Sequence, residues 1–132
     1  MYISVVTLYV DDLDRAIDFY TSKLGWEKTM DEPMGEDRWV TVAPGNDATQ
    51  TALTLMKGDP GWQEWREKIG GMSGVIMEVD DVYETYDQLT KRGVEFAQNP
   101  SSEPWGGWAM FKDSEGNVHG LHSPARATVS SN

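Results

Sequence analysis

The sequence predicts an α+β fold in which two β-α-β-β-β modules form curved sheets around a cleft. Three observations predict it. Val10-Asp11-Asp12-Leu13 opens a helical stretch closed by Gly25, and Val79-Asp80-Asp81-Val82 opens another closed by Gly93. Arg38-Trp39-Val40-Thr41-Val42 is echoed by Gly107-Trp108-Ala109-Met110-Phe111, at the offset that separates the two helix openings. Runs rich in β-branched and aromatic residues flank both helical stretches, as strands do. A duplicated half implies two similar sheets, each curved into a half-cup, facing each other across a cleft that holds the function.

Residues 2–10 read as the first strand, and Asp12 as an N-cap. Leu13, Ala16, Ile17, Tyr20 and Leu24 fall at helical spacing, and Gly25 supplies the stop. Trp26–Met30 reads as a strand, Pro33–Glu36 as a turn and Arg38–Ala43 as a third strand. Gly45-Asn46-Asp47 turns the chain into Gln50–Met56. Residues 57–73 form the linker between modules 1–56 and 74–123. Gly58-Asp59-Pro60-Gly61 breaks the chain there, and Trp62–Ile69 makes a short helix. Trp62 and Trp65, three apart, anchor that helix to the sheet or to a partner subunit. Val75–Val79 opens the second module. Asp81 and Glu84 then form a capping-box-like start, with Val82, Tyr86 and Leu89 on the buried helix face. Lys91-Arg92 suit the C-terminal dipole. Val94–Ala97 reads as a strand, Pro100–Gly107 as a loop, Trp108–Lys112 as a strand, Asp113–Asn117 as a turn and Val118–Ser123 as the last strand. Residues 124–132 are expected to be a flexible tail on a single domain spanning 1–123.

At 132 residues the chain is long enough for a self-sufficient core. Its 39% hydrophobic and 11% aromatic content is that of a globular protein. It has no cysteine, which excludes thiol nucleophiles, disulfides and thiolate metal sites. The apolar run of residues 1–10 lacks a basic flank and is too short for a signal peptide or membrane span, so a cytoplasmic location is expected. The net charge of −11 argues against nucleic acid and anionic membranes as partners. Charge of that sign serves solubility first; among ligands it favours a cation.

Val10-Asp11-Asp12-Leu13-Asp14-Arg15-Ala16-Ile17-Asp18-Phe19-Tyr20, followed by Leu24-Gly25, resembles the opening of the vicinal oxygen chelate superfamily of glyoxalases, bleomycin-resistance proteins and extradiol dioxygenases. Phe111-Lys112-Asp113-Ser114-Glu115-Gly116-Asn117 resembles its closing strand-turn-strand. Glu103-Pro104-Trp105-Gly106 is similar to a loop of the bleomycin-resistance members. The resemblance implies the glyoxalase/bleomycin-resistance-like fold and a homodimer. For the bleomycin-resistance branch it implies a metal-free groove, partly lined by tryptophan, that takes a cationic ligand.

In the metal-using members four inward residues, usually His and Glu, hold one divalent ion. The resemblance places them at Val5, Thr54, Gly74 and Gly120, none of which is a good donor. Strand alternation puts Val5, Thr7, Tyr9, Trp39, Thr41, Thr54, Met56, Gly74, Ile76, Glu78, Trp108, Met110, Gly120 and His122 on the cleft face. Only Glu78 and His122 there are serious ligands, fewer than the three of a catalytic centre. They are alternatively an acid–base pair or a rim ion pair. His119 falls on the opposite face, toward the helix. Asp11-Asp12 and Asp80-Asp81 precede helices and read as caps rather than catalytic carboxylates.

The expected function is therefore metal-free binding of a small organic molecule, cationic or aromatic, such as an antibiotic or toxin, with no catalytic residue, metal or cofactor. Tyr9, Trp39, Thr54, Met56, Glu78, Trp105, Trp108, Met110 and His122 are the candidate contacts: aromatic faces, adaptable methionines and one carboxylate. The alternative is a glyoxalase-type lyase or isomerase, or a dioxygenase, with a displaced metal site. Stoichiometric metal content separates the two.

Overall fold

The computed structural model describes residues 1–45, 51–57 and 63–125. The element order is β1 (Val5–Tyr9), α1 (Leu13–Asp18), a π-helical turn (Phe19–Lys23), β2 (Glu27–Met34), β3 (Asp37–Ala43), β4 (Ala52–Met56), α2 (Gln63–Glu67), β5 (Gly71–Glu78), α3 (Val82–Lys91), β6 (Phe96–Glu103), β7 (Gly106–Lys112) and β8 (Asn117–Ser123). The chain forms two compact units: Met1–Gly71 together with Asp113–Asn117, and Met72–Lys112 together with 118–132. Each contains the β-α-β-β-β order expected from the repeat. The Trp39-to-Trp108 offset carries β2 onto β6 and β3 onto β7, end to end.

In the first unit the strands lie in the order β1-β4-β3-β2, with β1 and β4 parallel and the other neighbours antiparallel. Leu8, Val10, Val40, Val42, Leu53 and Leu55 share one buried sheet face with Ala16, Phe19 and Tyr20 of the helical segment. Asp12 caps α1, its Oδ1 accepting from the Arg15 N–H at 3.0 Å. The expected single helix to Leu24 widens after Asp18, where the Leu24 N–H reaches back five residues to the Phe19 carbonyl. This extra residue per turn brings adjacent Phe19 and Tyr20 both inward, edge to face at 5.2 Å.

The turn Asp113–Asn117 completes this unit. The Tyr20 hydroxyl donates to Asp113 Oδ2 at 2.8 Å, and Asn117 Nδ2 donates to the Tyr9 carbonyl at 3.1 Å. Burial, then the Asp113 carboxylate, pushes the Tyr20 phenol well above its ordinary range. Glu115 accepts from the Asp11 and Asp12 N–H groups at 3.0 and 2.9 Å and from Arg15 Nε at 2.8 Å. Burial alone would raise the Glu115 carboxyl. Hydrogen bonds from Arg15, the Asp12 N–H, the Ser114 hydroxyl and the Asp11 N–H outweigh it and hold the group at about 2. The paired aspartates thus open helices; Asp81 caps α3 in the same way, accepting from the Tyr83 N–H at 2.9 Å.

In the second unit the order is β5-β8-β7-β6. Ala109, Phe111, His119 and Leu121 form its core face together with Val82, Leu89 and Val94. His119 is fully buried, 2.7 Å from the Ser73 hydroxyl and edge-on to Phe111, as the strand parity predicts.

Several expected boundaries move. The loop expected at Pro100–Gly107 is mostly strand, because β6 continues to Glu103 and leaves only Pro104-Trp105 as the turn into β7. Pro100 is tolerated because β6 is a sheet edge with register shifts between Phe96 and Ser101. Pro33 sits on the corresponding edge strand β2, so Pro33–Glu36 is partly strand as well. Strand β5 begins at Gly71, inside the expected linker, and β1 begins only at Val5. The Asn46-Asp47 turn, the Gly58–Gly61 break, Trp62 and residues 126–132 of the tail lie outside the described residues. Trp65, the central residue of the short α2 helix, is buried. No helix among the described residues is long and apolar enough to cross a membrane.

Candidate binding site

The face of the first sheet opposite its apolar core face carries three rows, because register brings equivalent residues side by side. Tyr9 on β1 pairs with Met56 on β4, and Trp39 follows on β3 beside them. Thr7, Thr54 and Thr41 form the middle row across β1, β4 and β3. Val5 and Ala52 begin the third. Thr41 Oγ1 lies 2.6 Å from Thr29 Oγ1, so hydroxyls continue to the far edge strand. Thr54 is fully buried, and its Oγ1 has no hydrogen-bond partner among the described residues. Trp39, Tyr9 and Met56 are half-buried. One face of Tyr9 is already taken by Lys68, whose Nζ stands 5.6 Å from the ring centroid.

The second sheet presents the aromatic group. On β7 and β8, Trp108 pairs with His122 and Met110 with Gly120. The Trp108 indole lies against Gly120: a Cβ there would come 2.5 Å from Trp108 Cη2 and 3.1 Å from Cζ2 and Cζ3. Trp105, on the β6–β7 turn, stands edge-on to Trp108 at 5.8 Å and lies nearly parallel to the His122 ring at 6.0 Å. It is 55% exposed.

His122 binds on both ring nitrogens. Nδ1 is 2.7 Å from Glu78 Oε1, and Nε2 is 3.1 Å from the Trp105 carbonyl oxygen. Both partners are acceptors, so both contacts are hydrogen bonds only when the ring is protonated. The Glu78 carboxylate, then the Trp105 carbonyl, raises the His122 pKa above its ordinary value of 6.5. Glu78 therefore does not stand as the free negative charge expected from the sequence. In the protonated pair its charge is balanced by the imidazolium beside it.

The four positions aligned with the family's metal ligands do not fit an ion. Val5 has an apolar side chain and Thr54 a neutral hydroxyl. Gly74 has φ +80°, a conformation that a His or Glu adopts only with strain. At Gly120 the space a ligand's side chain would need is filled by Trp108. Among the described residues no three His, Asp or Glu side chains converge.

A depression of about 470 Å³ lies over the α1 N-terminus, lined by Asp11, Asp14, Arg15, Glu36, Arg38 and Lys57 among others. Both of its guanidinium groups are engaged, Arg15 by Glu115, and Arg38 by Asp14 at 2.8 Å and Asp31 at 2.6 Å. They offer no free cation to a ligand.

The sequence reading put Tyr9, Trp39, Thr54, Met56, Glu78, Trp105, Trp108, Met110 and His122 around one cleft; the structure places the first four on the first sheet and the other five on the second sheet and its β6–β7 turn. The sequence reading did not foresee the contact of Trp108 with Gly120 or the Thr29 extension of the hydroxyl row. The spacing Thr41–Thr54 across a hairpin carried the second signal only once the register was known.

Two four-stranded sheets with the same strand order, one in each unit, define a repeated β-α-β-β-β fold. The chain matches the sequence model of the glyoxalase/bleomycin resistance protein/dioxygenase superfamily over residues 2–119, and it belongs to that superfamily. It is 36% identical over 121 residues to YurT, an uncharacterized protein of Bacillus subtilis (strain 168), covering 89% of this chain and 95% of YurT. It is 25% identical over 103 residues to a probable lactoylglutathione lyase of Synechocystis sp. (strain ATCC 27184 / PCC 6803 / Kazusa), covering 76% of each. In structure it resembles TnmS3, an antibiotic-binding protein from Streptomyces sp. CB03234. The TM-score is 0.80 and the identity 33%, with 95% of this chain and 97% of TnmS3 covered.

Proposed function

We propose that the protein is a metal-independent binder of a small planar organic molecule, sequestering an antibiotic or toxin by stoichiometric capture without turnover. The observation that carries this reading is Trp108. Its indole fills the space over Gly120 where a metal-using relative would project a ligand, and it offers an aromatic surface instead. Trp105 edge-on to it supplies a second ring, and Met110 an adaptable neighbour. Similarity to TnmS3, itself an antibiotic-binding protein, supports the same reading.

The 2.7 Å Glu78–His122 contact engages the carboxylate that would otherwise meet a cation, which favours an uncharged aromatic ligand. A homodimer accompanies this reading. Tyr2, Ile3 and Val6 in the first unit, and Met72 and Ile76 in the second, leave apolar side chains exposed that a second copy would cover. Light scattering that reports a monomer at micromolar concentration would remove the dimer from the proposal.

Calorimetric titration with 9-fluorenone and with 9-aminoacridine, a neutral and a cationic planar probe, tests the function. Binding at one site per chain is expected, lost in Trp108→Ala and kept in Trp26→Phe. The second reading, an enzyme with a displaced ion, is favoured by the 2.7 Å Glu78–His122 contact. A stoichiometric divalent ion in protein purified without chelator, lost in a Glu78→Gln/His122→Ala double variant, would establish it and overturn the binding-only reading.

A further inference from the structure

We propose that the threonine row of the first sheet is a hydrogen-bonding subsite, with Thr54 Oγ1 its anchor, and that a molecule bound on this sheet carries an uncharged carbonyl or hydroxyl group against it. The inference rests on the reading above that the protein binds a small organic molecule, and it is argued from the first sheet alone.

The row begins at exposed Thr7, passes through Thr54 and Thr41, and ends at Thr29. It crosses all four strands, and it is bounded on one side by Tyr9, Met56 and Trp39 and on the other by Val5 and Ala52. Thr41 and Thr29 satisfy each other at 2.6 Å. Thr54 between them and Thr7 is fully buried, and its Oγ1 finds no hydrogen-bond partner among the described residues.

A buried hydroxyl without a partner is costly, and valine would fill the same β-branched volume without that cost. The opposite face of this sheet shows that apolar residues are readily accommodated here: Val40, Val42, Leu53 and Leu55 occupy it. The hydroxyl at Thr54 is thus left open to a partner that the described residues do not supply.

The partner's chemistry follows from the surroundings. None of the residues of these three rows is charged at neutral pH, and Lys68 beside them already lies over the Tyr9 ring, so an ionised ligand group would be buried without a free counter-charge. A hydroxyl donates one hydrogen bond and accepts others, so it serves a carbonyl or a hydroxyl equally. The apolar rows on both sides suit the flat carbon framework that carries the group. Met56, the next residue on the same face of β4, is an unbranched side chain able to move aside for it.

The test uses 9-fluorenone and fluorene, which differ in a carbonyl against a methylene, titrated into wild type and Thr54→Val. Wild type is expected to bind fluorenone about fivefold to tenfold more tightly than fluorene, the ratio one net hydrogen bond supplies. Thr54→Val is expected to weaken fluorenone to the level of fluorene while leaving fluorene unchanged, and Thr54→Ser to retain most of the preference. In the absence of any probe, Thr54→Val is expected to unfold at a higher urea concentration than wild type. Equal affinities of wild type and Thr54→Val for both probes, or a Thr54→Val protein of reduced stability, would overturn the subsite while leaving the binding function standing. Absence of binding by both probes and by 9-aminoacridine would instead overturn the function, and the subsite with it.

Discussion

Replacing Gly120 by alanine in the presence and absence of Trp108 tests the contact on which the functional reading stands. Gly120 is not among the glycines with positive φ, so its backbone accepts alanine without strain. The nearest obstacle is Trp108: the new methyl would sit 2.5 Å from Cη2, where carbon atoms normally rest about 3.5–4.0 Å apart. An overlap of about 1 Å against the rim of a half-buried indole forces the ring to swing off β8, and overpacking of this kind costs roughly 1–3 kcal/mol. With Trp108→Ala the obstacle is gone. Gly120→Ala should then stabilise by about 0.4–1 kcal/mol, because it narrows the unfolded ensemble. The two substitutions should therefore couple by roughly 2 kcal/mol. Urea unfolding of the four proteins in the cycle measures the coupling. Fluorenone titration should show that Gly120→Ala also loses affinity, because the aromatic surface has moved. A Gly120→Ala protein at least as stable as wild type would mean that the indole does not rest on β8. The claim that Trp108 occupies the ligand position would then fail.

Three further outcomes are expected. Tyr20→Phe removes a donor to buried Asp113 at 2.8 Å and should cost about 1.5–3 kcal/mol in urea unfolding, the range for a hydrogen bond to a charged group; a cost near zero would mean that other donors satisfy Asp113. Glu115 lies below its ordinary 4.5, at about 2, so its stabilisation is present above 4.5 and lost as pH falls toward 2. Acid titration monitored by circular dichroism should show Glu115→Gln less stable at pH 7 and less pH-dependent over that interval. His122 is shifted the other way, so its contribution is fully present below 6.5 and declines as pH rises through its higher folded value. The proton NMR titration of the His122 ring should have a midpoint above 6.5 that falls in Glu78→Gln; an unchanged midpoint would show that the 2.7 Å contact is not maintained in solution.

The parts of the fold that were legible in the sequence are those whose causes are local. Asp12 and Asp81 act on N–H groups two or three residues away, so a cap is visible as a residue type at a position. Period-two alternation placed Trp108 and His122 on one face and His119 on the other, because parity along a strand needs no partner. The π-helical turn was hidden, because Phe19 and Tyr20 point inward only after tertiary packing has widened the helix. The loop expected at Pro100–Gly107 failed for a related reason. Proline reads as a strand breaker until one knows that its strand lies at an edge with no neighbour to receive an N–H.

The sequence by itself determined the superfamily, the duplicated architecture, the poverty of metal donors at Val5, Thr54, Gly74 and Gly120, and the identity of the aromatic residues. These follow from residue types and spacings, which the chain carries before it folds. Only the tertiary structure decided that Trp108 covers Gly120, that Glu78 is spent on His122, that Glu115 gathers Arg15 with two N–H groups about a hundred residues away, and that Thr54 Oγ1 has no partner among the described residues. Each depends on which atoms of distant segments meet. That is set by strand register and by competition for packing space, neither of which is encoded in any single stretch of the chain.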